Sequence, residues 1–270
     1  MIALLLDKRL TSSGDFLKIS TAMKIAADFH IHSTLSPCAS LEMSPAAIIR
    51  RARELSLDVI AVTDHNSVEN CFSAAELGEK NGVQVLFGME AQTREDVHML
   101  CLFQNRRQAE RFNEQIYALL PDVKNNPDFF GDQVVVDEQD NIIRHEEKLL
   151  LNALELSIPE LLELVLHHQG YCIPAHVESA PYGLLVNLGL VPRELDGSVL
   201  EISCMTRSET VLKMYPDLAR FPLISNSDAH YLKDIGRAHT IFHAADASLP
   251  SLIDAAQNGA YSVNYPKPYG

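Results

Sequence analysis

The chain has 270 residues, of which 47% are hydrophobic, and its 22 basic and 36 acidic residues give a net charge of -14. A chain of this length and apolar content can bury a substantial core, which excludes the small folds that depend on disulfides for stability. The acidic surplus argues against a general affinity for nucleic acid, because that affinity needs clustered Lys and Arg to displace counterions from phosphates.

The cysteines and the amino terminus bear on the compartment. The cysteines are odd in number, widely spaced and never in a CxxC pair, which argues against a disulfide framework and fits a reducing cytoplasm. The opening run MIALLLDKRL is interrupted by Asp7 and no apolar run is long enough for a membrane span, so neither a secretory signal nor a membrane partner is expected. Residues 1–22 precede the first convincing strand and are interpreted as an N-terminal extension and a candidate for disorder; residues 23–270 are interpreted as a single domain.

The first part of the chain alternates strands with helices. KIAADFHIHS is predicted to be a strand, followed by a helix with Ser44 as N-cap and Pro45 at its first position. LDVIAVTDH is a second strand, and the helix after it ends at the Asn81-Gly82 stop signal. VQVLFGME and VHMLCLF are two more strands. This alternation favours a parallel sheet.

The rhythm changes after Gln104. QNRRQAERFNEQIYALL has the period of an amphipathic helix, and residues 121–150 are interpreted as an inserted hairpin subregion with QVVV and NIIRH as its strands. A helix with a Ser157 and Glu160 capping box follows, then the strands YCIPAH, SVLEIS, FPLIS and AHTIFH and a helix from about Ser248.

Seven or eight strand-helix steps indicate an α/β protein with a closed or nearly closed barrel. In such barrels the active site forms at the carboxyl ends of the strands. A doubly wound open sheet would also place a ligand there, but it would concentrate the site at one switch point. Polar candidates follow nearly every strand here, which favours the barrel.

Eight candidate metal ligands lie where strands meet loops, and they mix imidazole with carboxylate. His30 and His32 are two residues apart, so both side chains project from the same face of a strand. A carboxylate can bridge two cations, and this donor set suits divalent metals. The eight candidates are His30, His32, His65, Glu90, His98, His176, Asp228 and His230.

At these residues the sequence resembles the PHP family, named for polymerases and histidinol phosphatases. The motifs DFHIHS, VTDHNS, GME, VHML, PAHVES and SNSDAH occur in the family order, over roughly residues 24–103 and 171–243. The resemblance implies a distorted seven-stranded TIM-like barrel that hydrolyses phosphate esters with two to three divalent ions of zinc, manganese or iron. It also implies a first metal at His30, His32, Glu90 and Asp228, a second at Glu90, His98 and His176, and a third at His65 and His230.

The sequence departs from the family pattern after the HxH pair. Many members carry an acidic residue or a histidine there, whereas this chain has STLSPCAS. Cys38 is therefore a candidate third-site ligand, although an inert apolar role for this cysteine is the favoured interpretation. Asp64 is expected to orient a histidine or to cap its loop in preference to binding metal. Glu201 could act in catalysis or form a hydrogen bond at the strand end, and the sequence does not decide between these two roles.

The leading functional hypothesis is a cytoplasmic metal-dependent phosphoesterase that uses a metal-activated water on a small phosphorylated metabolite or nucleotide. The alternatives are a metal-dependent amidohydrolase and a noncatalytic metal-binding or polymerase-accessory module. The lack of a strand-end lysine counts against the amidohydrolase, and eight intact candidate ligands count against the noncatalytic module. The oligomeric state stays open. Arg94, Arg144, Lys148 and Arg207 are candidates to neutralise a substrate phosphate, but no spacing singles one out.

Overall fold

The computed structural model describes residues 22–265, so of the proposed N-terminal extension only Ala22 lies within the described residues. The strands are β1 Met23–Ile31, β2 Val59–Val62, β3 Gln84–Gln92, β4 His98–Phe103, β5 Val134–Val136, β6 Ile142–His145, β7 Tyr171–Pro174, β8 Leu200–Ile202, β9 Leu223–Ser225, β10 His239–Ala244 and β11 Tyr261–Asn264. The α-helices are α1 Pro45–Glu54, α2 Glu69–Asn81, α3 Arg106–Leu119, α4 Pro127–Phe130, α5 Ile158–His167, α6 Leu184–Leu188, α7 Ser208–Met214 and α8 Leu249–Gln257.

Seven strands form one curled, mixed sheet in the order β11-β10-β1-β2-β3-β4-β7. The α/β class and the seven-strand count are confirmed, but the expected parallel sheet is wrong in part. Only the β1-β2 and β2-β3 pairs are parallel, and the other four pairs are antiparallel. The connection between β3 and β4 covers only residues 93–97, and a connection this short cannot cross over to make a parallel pair.

The sheet does not close into a barrel, which corrects the sequence-based expectation. β8 and β9 are three residues each and pair only with each other. A few contacts join them to the main sheet. Val177 N–H, after β7, donates to the Glu201 carbonyl at 2.9 Å. Thr240 Oγ1 in β10 donates to the Ser225 carbonyl at 3.0 Å and accepts the Ser225 N–H at 3.2 Å, and Tyr261 Oη in β11 accepts the Leu223 N–H at 2.8 Å. Strands of three residues have too few backbone N–H and C=O groups to form a continuous hydrogen-bond ladder between the two edge strands of the main sheet, β7 and β11.

Apolar side chains pack on both faces of the curled sheet. One face packs against the helices α1, α2, α3 and α5 through residues such as Ile48, Phe112 and Leu161. On the other face Phe29 stacks on Phe242 with ring centroids 5.6 Å apart, and Leu252 of α8 joins the same cluster. Because apolar packing covers both faces of the sheet, the candidate functional residues lie where the strands meet the loops at one edge.

Local signals predicted from the sequence agree with the helix boundaries. Ser44 Oγ accepts the Ala47 N–H at the start of α1, and Gly82 ends α2 with a φ of 72°. At α5 the Glu160 carboxylate accepts the Ser157 N–H at 2.7 Å, as expected for a capping box. Within residues 121–150, β5 and β6 form an antiparallel pair. No helix within residues 22–265 has the length and apolar character needed to cross a bilayer.

Candidate metal centre

All eight candidate ligands meet at one edge of the sheet. His30 is the last residue but one of β1, His65 follows β2, and Glu90 lies near the end of β3. The expectation that the candidates lie at the carboxyl ends of strands is wrong for His98, because this residue is the first of β4. Since β3 and β4 are antiparallel and Gln92 pairs with His98, the start of β4 lies beside the end of β3.

Glu90 is the centre of the cluster. Its side chain is 1% exposed, and five imidazoles approach its two oxygens. Oε1 lies 2.8 Å from His98 Nδ1 and 3.2 Å from both His30 Nε2 and His176 Nε2. Oε2 lies 3.1 Å from His65 Nδ1 and 3.4 Å from His32 Nε2. A single carboxylate is therefore positioned to serve more than one cation.

Asp228 supplies a second carboxylate from the segment after β9. Its Oδ1 lies 3.5 Å from His30 Nε2 and 3.5 Å from His32 Nε2. Asp228 has a φ of 48°, in the left-handed region that is unfavourable for residues other than glycine. Such strained residues are often found at functional sites. The buried Asp28 carboxylate fixes this segment by accepting the N–H groups of Ser227 at 2.9 Å and Gly236 at 3.0 Å.

Hydrogen bonds at the Nδ1 atoms assign the tautomers of His30 and His32. His30 Nδ1–H donates to Glu201 Oε2 at 3.0 Å, which leaves Nε2 as a lone-pair donor facing Glu90. Ser36 Oγ–H donates to Asp64 at 2.6 Å, so the serine oxygen accepts His32 Nδ1–H at 2.9 Å. This arrangement supports the orienting role predicted for Asp64 and the hydrogen-bonding interpretation of Glu201.

Cys38 lies within a third group of donors. Its Sγ is 3.3 Å from His65 Nε2, and the ligand atoms of Cys38, His32, His65 and His230 all lie within 4.8 Å of one another. Desolvation and then the nearby Glu90 carboxylate raise the pKa of the Cys38 thiol, so the free thiol stays protonated. This geometry makes Cys38 a candidate donor; metal binding by Cys38 and the inert apolar role favoured from the sequence both stay predictions.

The protonation states of the cluster fit bound cations. Burial opposes the charge of Glu90, but the histidines around it hold its pKa well below the usual range, and the pKa of Asp228 is lowered in the same way. Burial lowers the pKa of His32 to about 4 and that of His65 well below its usual value, so both rings are neutral. Burial opposes the charge of His30 and His176 too, but Glu201, Glu90 and Asp228 raise the pKa of His30, and Glu90 raises that of His176, so these two rings share the carboxylate charge when no cation is bound.

Unpaired nitrogens support the same interpretation. Both ring nitrogens of His98 and Nδ1 of His176 are buried and make no hydrogen bond. His98 Nδ1 approaches Glu90 closely without hydrogen-bonding geometry. Buried polar atoms without partners are costly, and a cation between such donors removes the cost. The residues therefore fit the divalent metals that the fold implies.

The donors form the floor of a cavity of about 340 Å³. Its apolar wall consists of Leu151, Ala180, Pro181 and Tyr182, and the Tyr182 ring stacks on His98 at a centroid distance of 4.2 Å. Among the described residues, those that line the cavity include neither Lys nor Arg. The predicted phosphate-neutralising residues lie elsewhere: Arg94, Arg144 and Lys148 contact acidic groups or carbonyls outside the cavity, and Arg207 packs on Tyr265.

Sequence reasoning missed three supporting residues, Asp28, Ser36 and Asn226. Asn226 Nδ2 donates to Glu201 Oε1 at 2.8 Å, and its own Oδ1 accepts the Phe29 N–H at 2.8 Å. Only Asp28 could have been found from the sequence. It is a charged residue within an apolar strand, and because it lies two residues before His30 its side chain projects from the same face as that ligand. Ser36 joins the nearby His32 to Asp64, which is 28 positions away, and Asn226 joins segments that are distant in the chain, so no local pattern reveals either role.

The fold and donor set define an α/β domain with a candidate metal centre, and comparison identifies its family. The PHP domain model matches residues 28–183, more than half of the chain, and the PHP-associated model matches residues 217–261. The chain therefore belongs to the PHP family of metal-dependent phosphoesterases.

Two kinds of relative are similar in sequence or fold. The PolC-type DNA polymerase III of Oceanobacillus iheyensis is 36% identical over 73 residues, which are 27% of this chain and 5% of the polymerase. Endonuclease Q of Pyrococcus furiosus, described as lesion-specific, has a TM-score of 0.66 at 20% identity over 89% of this chain and 58% of its own. A two-domain protein of Bacteroides vulgatus containing a PHP-like phosphoesterase has a TM-score of 0.57 at 15% identity over 97% of this chain and 70% of its own.

These similarities contradict the expectation of a small phosphorylated substrate and of no general nucleic-acid affinity. Endonuclease Q in complex with a 27-mer duplex substrate has an abasic lesion at its active site; that structure has a TM-score of 0.65 at 20% identity and covers 87% of this chain and 57% of its own. Net charge misled the prediction because it averages the whole surface, whereas metals concentrate positive charge at one site.

Proposed function

We propose that this chain is a metal-dependent phosphoesterase that cleaves phosphodiester bonds in nucleic acid. The observation that carries the proposal is Glu90 among five imidazoles with Asp228 beside them, at the floor of one cavity. Membership of the PHP family supports the reaction class. The folds of endonuclease Q and the local identity with PolC-type polymerases support the substrate class.

The positions of the lone pairs support a division of the ligands between two neighbouring ions. His30, His32, Asp228 and Glu90 would hold the first. Glu90, His98 and His176 would hold the second. Ions bound in this way lower the pKa of water and neutralise charge on phosphate oxygens. The side chains have a static role: Glu201 holds the His30 tautomer, and Asp64 holds His32 through Ser36.

The cavity wall supports a substrate with an organic group on each side of the phosphate. The apolar side chains of Leu151, Pro181 and Tyr182 have no means to balance further negative charge, but they can pack against a sugar or base. Since neither Lys nor Arg lines the described cavity, the metals alone would neutralise the phosphate. A phosphodiester, with one charge, suits this wall better than a terminal phosphate with two.

The proposal is tested with the full chain loaded separately with manganese or zinc. Labelled substrates would be a duplex with an abasic site, intact duplex, single-stranded DNA and single-stranded RNA, with simple phosphate monoesters for comparison. We expect cleavage of at least one nucleic acid, abolished by chelator and restored by metal. The Glu90→Gln variant should be inactive on the same substrate.

The matched control is His167→Gln, because His167 lies at the end of α5 and outside the cavity. Activity confined to phosphate monoesters, or nucleic-acid cleavage that persists in Glu90→Gln, would contradict the proposal.

A further inference from the structure

We propose that the cavity between the start of α3 and the end of α5 binds a phosphate dianion, either inorganic phosphate or the phosphate group of a small monoester. The cavity has a volume of about 360 Å³, and Arg107, Arg111 and His168 contribute to its lining. The described lining includes neither Asp nor Glu. In a chain with a net charge of -14, basic groups gathered without an acidic partner indicate an anionic ligand.

The cavity lies at the opposite edge of the sheet from the metal centre. β4 begins at His98, one of the candidate metal ligands, and ends at Phe103, two residues before the cavity-lining Asn105. The length of this six-residue strand separates the two places by about 20 Å. A phosphate held in the metal cavity therefore cannot reach this site, and the inference does not depend on the proposed function.

The amino end of α3 supplies the first part of the site. Asn105 Oδ1 accepts the Gln108 N–H at 3.3 Å, whereas the N–H groups of Arg106 and Arg107 have no acceptor among the described residues. N–H groups at a helix start carry partial positive charge and bind anions. Two arginines in the same first turn oppose the helix dipole, and a bound anion would relieve this conflict.

The charges of Arg107 and Arg111 are not balanced within the described part of the chain. Neither side chain forms an ion pair there, although the neighbouring Arg106 is bound to Glu110 at 2.7 Å and to Glu76 at 3.2 Å. Arg107 and Arg111 are four residues apart, so they project from the same side of α3 and repel each other. A dianion between them would offset both charges, whereas a phosphodiester, with one charge, would offset only one.

His168 adds a buried nitrogen without a partner. The residue is 8% exposed, it lines the cavity, and its Nε2 makes no hydrogen bond among the described residues. Burial and the positive charge of neighbouring side chains, Arg111 among them, lower the pKa of His168. A phosphate oxygen would accept an N–H from Nε2 and remove the cost of leaving this nitrogen unpaired.

The two elements that frame the cavity are fixed to each other. Gln108 Nε2 donates to Gln169 Oε1, directly after α5, at 3.1 Å. The last carbonyls of α5 accept the N–H groups of residues 168–170, so the end of this helix does not itself require basic neighbours. Gln108 Oε1 is buried without a partner and can accept an O–H, either from phosphate itself or from a sugar attached to it.

The test uses the full chain freed of metal and chelator, so that phosphate cannot bind through a metal ion. Calorimetry would compare inorganic phosphate, adenosine monophosphate and a single-stranded DNA oligonucleotide that lacks a terminal phosphate. We expect inorganic phosphate, adenosine monophosphate or both to bind at one site per chain with a dissociation constant below about 1 mM. The stronger of the two identifies the source of the phosphate group.

Arg111→Gln should weaken this binding by about 10-fold or more, the loss typical of removing a hydrogen bond to a charged group. Arg53→Gln is the matched control, because Arg53 is an exposed arginine in the last turn of α1 and lies outside the cavity. This control should bind phosphate as the wild type does.

A second measurement needs no arginine variant and decides the question if Arg111→Gln fails to fold. Titration of the wild-type chain with inorganic phosphate should shift the imidazole NMR signals of His168. The signals of His98 and His176, at the metal edge, should stay unchanged in the same titration.

Phosphate and monophosphate that both bind more weakly than about 1 mM, binding that is unchanged in Arg111→Gln, or a shift confined to the metal-edge histidines would overturn the site. An oligonucleotide that binds more tightly than both phosphates and loses this binding in Arg111→Gln would assign the cavity to a nucleic-acid backbone, which also overturns the proposal. These readouts involve neither metal nor catalysis, so their failure is distinguishable from failure of the proposed function.

Discussion

Glu90 has an unusual position for a buried carboxylate, because nearly every neighbour of its two oxygens is an imidazole. The five histidines that reach it come from β1, the loops after β1, β2 and β7, and the start of β4. No lysine or arginine among the described ion pairs of Glu90 balances its charge. The residue is stable in this environment if cations bind between the donors.

Replacing this one carboxylate by an amide should remove the function. In Glu90→Gln we expect metal content to fall by at least one ion and the rate to fall by about 100-fold or more, the loss typical of removing one strong electrostatic contact. The measurement is metal analysis and phosphodiesterase rate on the same preparation. Equal losses in His167→Gln would show that the division between ligands and structural histidines is wrong.

Glu201 acts through His30, so substitution of Glu201 should affect metal affinity more than the rate, unlike substitution of Glu90. The carboxylate accepts His30 Nδ1–H, His176 N–H and Asn226 Nδ2–H at 2.8 to 3.0 Å. In Glu201→Gln we expect metal affinity to fall about 10- to 100-fold, while saturating metal restores the rate. Titration with zinc against a competing chelator measures the affinity. A lost rate that excess metal does not restore would instead assign Glu201 a direct catalytic role.

At the scale of elements, Glu146, directly after β6, links the hairpin of β5 and β6 to α3 through Tyr117. Its buried carboxylate accepts the Lys148 N–H at 2.9 Å, Tyr117 Oη–H at 2.9 Å and Arg144 Nη1–H at 2.6 Å. Burial opposes the charge, but the Lys148 N–H, Arg144 and Tyr117 outweigh it and lower the pKa of Glu146.

A group with a lowered pKa in the folded state contributes stability above its unfolded value, here about 4.5, and loses the contribution as the pH falls further. We expect Glu146→Gln to cost about 1–3 kcal/mol of unfolding free energy at pH 7, with the difference from wild type shrinking below about pH 4. Urea unfolding of both metal-free chains at several pH values measures this. A difference that stays constant with pH would show that the charge of Glu146 contributes nothing.

At the scale of the whole molecule, metal binding and folding stability are linked. The donors come from six separate segments between His30 and His230, so the unfolded chain cannot gather them. Zinc at 100 times its dissociation constant should stabilise the fold by about 2.7 kcal/mol per site. Thermal unfolding with and without chelator would measure the shift, which should be much smaller in Glu90→Gln. An unchanged melting temperature in the wild type would contradict the metal centre.

The sequence by itself determined the features that depend on neighbours along the chain. The N-cap at Ser44, the stop at Gly82 and the meeting of the two HxH rings at the end of β1 follow from local geometry, and the structure has all three. The ordered motifs also predicted the family correctly. The eight candidate ligands were chosen from strand boundaries, and the structure brings them together, although metal binding itself stays a prediction.

Only the tertiary structure decided how the strands pair and what lies behind the ligands. Pairing is a contact between distant segments, so the alternation of strand and helix did not reveal the antiparallel β3-β4 hairpin or the separate β8-β9 pair. For the same reason, the sequence offered Cys38 as a candidate neighbour of His65 without deciding its role, and it did not place Glu201 behind His30. Those contacts join residues 27 and 171 positions apart, and packing rather than local conformation brings them within bonding distance.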